Sequence, residues 1–209
     1  ATVSPNGKFI LTKGEDYRLG CDSGSTDGTV EKLRSLGVVV YEIRVKPWRF
    51  DVARNTAQSL LPDDINVCHV IDMDETVDPD FYDKVREHWQ EGANKGWHDF
   101  DTGHVWLGAR LHARHGMYWR WPVHEAFVPS LNTPLRSVTI PSKMYHKPDS
   151  TKSRGQYLSM LINASKEFPK DHRTWVYLCR EYTFNAMWEL VISAAEQVTK
   201  YSDDWNVER

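Results

Sequence analysis

The sequence predicts an α/β fold, an open, mostly parallel mixed sheet flanked by helices, with a C-terminal helical extension. Three observations point there. Up to about residue 90, β-branched or apolar runs alternate with stretches that carry apolar residues at helical spacing. From Val105 to about His146 the pattern breaks into short strand-like pieces interrupted by Pro122, Pro129, Pro134 and Pro141. Beyond residue 150 only helical periodicity remains, which divides the chain into a sheet domain at 1–150 and a helical extension at 151–209.

Taken in order, Lys8–Thr12 reads as a short strand, and Tyr17–Cys21 as a second that ends at Asp22. The glycine-bearing turn Ser23–Gly28 follows, then an amphipathic helix over Thr29–Leu36 with Gly37 as its C-cap. Val38–Val45 is β-branched and extended, and Asp51 caps a helix that runs to Leu61, where Pro62 stops it. Val67–Ile71 is a compact apolar run suited to an inner strand, and its exit delivers Asp72, Met73, Asp74 and Glu75. A helix over Pro79–Gln90 completes three strand–helix units. Right-handed crossovers between them would set Asp22 and Asp72 on one sheet edge, where ligands of such folds bind. Val105–His112, Met117–Trp121 and Ser137–Ile140 are the later strands, and Gly155–Phe168, Thr174–Phe184 and Met187–Tyr201 the closing helices.

Composition bounds the function. The 209 residues are 40% hydrophobic and 26% charged, ordinary for a globular protein, and the net charge of -3 supplies no general attraction to nucleic acid or anionic lipid. No apolar run is long enough to span a membrane, and the start is not signal-like. Cys21, Cys68 and Cys179 are scattered and odd in number, which suits buried thiols in a reducing, cytoplasmic compartment. Nine tryptophans and nine tyrosines supply both core and stacking surface.

Asp72 and Asp74, one residue apart at a strand exit, suit a hard divalent ion; the competing reading is an acidic turn. Asp22 is placed to accept from a base imide or ribose hydroxyls, with Ser25 and Asp27 in the small-residue turn beside it; Asp27 equally suits a helix cap. Arg54 suits a phosphate or a structural carboxylate. Glu125 reads as a general base or a surface ion pair, and His146 as a third metal ligand, with His124 as its rival. Trp106, Trp119 and Trp121 form either a stacking wall or core.

In sequence order, Asp22–Thr29, Phe50–Asn55, Asp72–Glu75 and His124-Glu125 resemble the family 2 glycosyltransferases of GT-A fold. The closer likeness is to a bacterial and phage subgroup whose catalytic domain runs into tetratricopeptide-like helices, a join that Arg173–Tyr182 resembles. The resemblance implies a metal-dependent transferase moving a sugar from a nucleoside-diphosphate sugar, UDP-linked by preference, with Mn2+ or Mg2+. The acceptor would be a glycan, a protein, a small molecule or a modified DNA base. It implies Asp22 at the nucleoside, Asp72 and Asp74 at the metal with His146 completing the set, and Glu125 as the base of an inverting displacement. A strand and a helix ahead of the Asp22 strand are also implied, and too few residues precede Asp22 to form them here. A non-catalytic nucleotide- or glycan-binding module and a nucleotidyltransferase are the alternatives.

Overall fold

A computed structural model of the chain describes residues 8–11, 16–147 and 155–202. Its elements are β1 (Lys8–Leu11), β2 (Asp16–Asp22), α1 (Thr29–Ser35), β3 (Val39–Glu42), α2 (Phe50–Ser59), β4 (Val67–Val70), β5 (Glu75–Val77) and α3 (Phe81–His88). Then come β6 (Lys95–Asp101), β7 (Val105–Ala113), β8 (Met117–Arg120), β9 (Ala126–Pro129) and β10 (Ser137–His146), and the helices α4 (Tyr157–Glu167), α5 (His172–Phe184) and α6 (Trp188–Lys200).

Eight strands form one sheet in the order β3-β2-β1-β4-β7-β6-β10-β5, and β8 and β9 make a separate hairpin. Only β2–β3 and β6–β10 pair in parallel. The other five junctions of the large sheet are antiparallel. The expectation of a mostly parallel sheet is therefore corrected. Two local causes account for the difference. β1 lies antiparallel between β2 and β4, where a parallel reading had placed a direct helical crossover. Three residues, 102–104, separate β6 from β7, and a link that short can only join antiparallel neighbours. β6 itself, Lys-Gly-Trp-His-Asp-Phe-Asp, has no β-branched residue to announce it; Gly96, His98 and Phe100 nonetheless alternate inward.

Because β2 and β4 each run antiparallel to β1, they share a direction, and Asp22 and Asp72 leave the sheet at the same edge. One strand separates them, which at ordinary strand spacing puts their strands roughly 10 Å apart. β7 runs opposite to β4, so Val105 begins at that edge, while β6 and β10 end there with Asp101 and His146.

All four residues of β4 are buried, as a strand covered on both faces must be. Val67 packs with Phe81, Val85, Leu111, Val138 and Ile140 under α3. Its neighbour Cys68 turns the other way, to Leu19, Cys21, Ala57, Leu61 and Ile65 under α2. Cys21, Cys68 and Cys179 are free thiols. In the helical extension, Met160, Leu161, Leu178, Tyr182 and Ala194 share a core with Val123, and Trp48 and Phe50 of the sheet domain pack against it. Asp171 caps α5 by accepting from the Thr174 amide at 2.7 Å and also receives the Trp121 indole N–H at 2.9 Å, so one carboxylate ties the two parts together. The boundary expected at residues 150 and 151 lies outside the described residues. Among those described, no helix is long and apolar enough to cross a membrane.

Candidate functional site

The shared sheet edge carries two polar groups built on different principles. At the first, β2 ends in Asp22, which is 2% exposed. Its Oδ2 accepts from the backbone N–H of Gly24 at 2.8 Å and of Ser25 at 3.0 Å, an Asx-type closure of the turn. Gly24 has φ 118, a conformation that a side chain would strain. Burial pushes the Asp22 carboxyl up, but the Ser25 side chain and the two amides outweigh it and hold the group below the ordinary aspartate range. Oδ1 is buried and has no hydrogen-bond partner among the described residues. Asp27, farther along the turn, accepts from the Thr29 amide at 3.1 Å and hydroxyl at 2.6 Å, both at the surface.

A shallow cavity of about 170 Å³ opens beside this turn, lined by Ser23, Arg44, Val45, Lys46 and Trp48. Asp22 does not line the cavity but adjoins it in sequence through Ser23, and its carbonyl accepts from the amide of Ile43, the residue before cavity-lining Arg44, at 2.8 Å. Arg44 and Lys46 are exposed and Trp48 is half-buried, so the cavity offers two cations and one indole. The sequence singled out none of these three: Arg44 fell inside the expected strand Val38–Val45, which ends at Glu42, and Lys46 and Trp48 followed as an unpatterned linker.

The second group is a knot of charge around Asp72. Arg54, 4% exposed on α2, donates from Nε to Glu125 Oε1 at 2.6 Å and from Nη2 to Asp72 Oδ1 at 3.3 Å, with its face 4.9 Å from the Trp119 ring. Arg110 donates from Nη2 to Glu75 Oε1 at 2.7 Å and lies 3.5 Å from Asp72 Oδ2. Its placement has a local cause. Trp97 pairs with Ala109 and Gly96 with Leu111, so Arg110 is the extra residue of a β-bulge, and a bulge re-aims its side chain. β4–β7 pairing ends at His69–Leu111, just where Arg110 can reach Asp72 beyond the end of β4. Glu75, 1% exposed, also accepts from the Asp72 amide at 2.7 Å. Burial and the neighbouring Asp72 charge push the Glu75 carboxyl up against the pull of Arg110. Arg54 stays charged, its two carboxylate partners outweighing the cost of burial.

The loop that supplies Glu125 is clamped from α5. His124 has φ 53 and Trp121 φ 75, uncommon values for non-glycine residues. The His124 ring stacks on Tyr177 at 4.0 Å, its Nε2 meets Arg180 at 2.9 Å, and its carbonyl accepts from Arg173 at 2.9 Å. Trp119 and Trp121 are each 3% exposed and belong to the core, whereas Trp106 is 52% exposed.

The expected metal set was Asp72, Asp74 and His146. His146 Nε2 lies 3.5 Å from Asp74 Oδ2, but both Asp72 oxygens face guanidinium groups. Among the described residues no three carboxylate, imidazole or thiol groups converge as a metal site would require. A divalent ion at Asp72 would also sit against two fixed positive charges. The residues present therefore do not fit the expected ion. With that and the mostly antiparallel sheet, the expectation of a metal-dependent glycosyltransferase on a GT-A scaffold is corrected, along with the inverting displacement through Glu125 that depended on it. Glu125 faces Arg54 as an ion-paired carboxylate. No protein-family model matches the chain, and no curated protein matches it, so the comparisons add nothing to the resemblance read from the motif order.

Proposed function

We propose that this chain binds a nucleoside diphosphate, free or sugar-linked, at the Asp22 end of the sheet edge, by direct contacts with side chains. The observation that carries the reading is Asp22 Oδ1, a buried acceptor with no hydrogen-bond partner among the described residues, on the residue next to Ser23, which lines the cavity. A buried polar atom left unsatisfied costs about 1–3 kcal/mol, and a ligand N–H or O–H would recover it. A base imide or a ribose hydroxyl is such a donor. Arg44 and Lys46 supply the positive charge a diphosphate needs, and the Trp48 indole offers a flat apolar face for a base. At about 170 Å³ the cavity admits one ring or one phosphate, smaller than the roughly 300–1,000 Å³ of a pocket that encloses a whole ligand. The remainder of the nucleotide lies along the open edge toward Asp72.

Titration calorimetry with UDP, GDP and CDP in EDTA tests this. One diphosphate binds without added metal, and the double substitution Arg44→Ala/Lys46→Ala weakens it at least tenfold. Absence of binding to all three, or binding unchanged in the double variant, overturns the reading.

A further inference from the structure

The same sheet edge continues past Asp72 to a feature that nucleotide binding leaves unused. Val105, Trp106 and Leu107 open β7 at 54%, 52% and 51% exposure, an unusual run of large apolar side chains in water. Strand alternation sends Trp106 to one face and its two neighbours to the other. Trp106 pairs with Phe100 across the strands, ring centroids 4.9 Å apart, and so has a rigid backing. The backing is itself built in. A Cβ on Gly108 would lie 2.8 Å from the Phe100 Cβ, so only glycine lets Phe100 lie where it does. Phe100 also meets His146 at 6.0 Å and has the Arg110 guanidinium over its ring at 5.5 Å. One half-exposed indole thus stands beside the half-buried Asp74–His146 pair, with Phe100 between them.

We propose that Trp106 is the stacking platform of a saccharide site, taking one pyranose ring of a soluble oligosaccharide, whose hydroxyls reach the Asp74–His146 pair. A pyranose has an apolar face of C–H groups and a rim of hydroxyls, and needs a flat apolar surface next to planar hydrogen-bonding groups. Trp106 supplies the first, and a carboxylate and an imidazole supply the second. The hairpin end also bears Asp99 and Asp101, the latter 3.7 Å from Lys143 Nζ, and this acidity opposes an anionic lipid surface. A membrane contact would moreover use Val105 and Leu107 on the opposite face, whereas a sugar on Trp106 would not.

Saturation-transfer NMR with cellotetraose, chitotetraose and maltotetraose as probes tests the site on the full chain. At least one of them binds, with its ring C–H protons receiving most saturation. Trp106→Ala weakens it at least tenfold, Trp106→Phe keeps it within about threefold, and Val105→Ser/Leu107→Ser leaves it unchanged. Nucleotide titration of Trp106→Ala serves as the fold control and separates failure here from failure of the nucleotide reading, because Arg44 and Lys46 lie at the far end of the edge. No binding of any tetrasaccharide, or equal binding by Trp106→Ala, overturns the proposal. So does co-sedimentation with phosphatidylglycerol vesicles that is lost in Val105→Ser/Leu107→Ser, which would assign the hairpin to membranes.

Discussion

Asp22 and Asp72 leave strands that run in the same direction, one strand apart, at one edge of one sheet, yet their carboxylates live in opposite conditions. Asp22 closes its own turn with one oxygen and keeps the other buried without a partner. Asp72 has a guanidinium at each oxygen, one from α2 and one from the β7 bulge. The first keeps one acceptor unused, and the second is a structural joint that holds α2, β7 and the Glu125 loop to the end of β4. A carboxylate at a strand exit therefore says little about function until its partners are counted.

The joint should fail hardest. Arg54→Ala removes the cation that Glu125 faces and leaves Asp72 beside Arg110, a loss of about 3–5 kcal/mol by analogy with other broken buried pairs. Urea denaturation would measure it. A loss below about 1 kcal/mol would mean that the knot is solvated and that Asp72 is as available to a ligand as Asp22.

Buried nitrogens show the same contrast away from the edge. His69 and His98 are fully buried, and the Nε2 of each has no hydrogen-bond partner. Burial holds both imidazoles below the ordinary range, and for His69 the neighbouring His98 and Arg110 add to it. The folded chain thus keeps them neutral, while the unfolded chain protonates them below about pH 6.5. Stability from this source is complete above that pH. It falls as pH drops below it, by at most about 1.4 kcal/mol per pH unit for each histidine. His98→Leu should reduce the slope seen in denaturation series between pH 6.5 and 5. An unaltered slope would show that these groups are solvated in the folded state.

Asp22→Asn weakens two charge-assisted bonds to the turn and should cost about 1–2 kcal/mol at pH 7. Because the folded pKa lies below the unfolded one, the gap between native chain and variant is present above about pH 4. It closes as pH falls through the lowered folded value. A pH-independent gap would mean that the asparagine changes packing instead of removing a charge.

These differences explain what could be read in advance. Helices with local apolar spacing, such as Thr29–Ser35 and Phe50–Ser59, were legible, as was the apolar run of β4, although Arg49 and not the expected Asp51 stands at the N-cap of the second. The shared edge of Asp22 and Asp72 also followed, although through β1 and not through a direct crossover. Sheet direction did not follow, because β1 inserts beside β4, remote in sequence, and β6, which begins the antiparallel hairpin with β7, lacks the β-branched residues that would announce it. Arg110 escaped for a related reason. An arginine inside Val-Trp-Leu-Gly-Ala-Arg-Leu-His-Ala shows no motif, and only the register with β6 makes it a bulge. The Asp-x-Asp spelling was visible, and so was Arg54 as a cation for a carboxylate or a phosphate; that Arg54 and Arg110 both answer Asp72 was not.

The smallest expected effect bears on that last point most directly. Mn2+ added at 1 mM to the ligand-free chain should raise stability by no more than about 0.4 kcal/mol, the value for a dissociation constant of 1 mM or weaker. The reason is charge. To enter between Asp72 and Asp74, the ion must displace or sit beside Arg54 and Arg110, whose guanidinium groups are held by Glu125 and Glu75 as well and so are not free to swing away. Asp74 and His146 alone supply two ligands where a hard ion wants about six. Thermal denaturation with Mn2+, repeated with Arg110→Gln, separates the alternatives. If the metal stabilises only the variant, the bulged arginine is what closes the site. Stabilisation of the native chain by several kilocalories would show that the Asp72 knot opens, and the contrast with Asp22 would collapse.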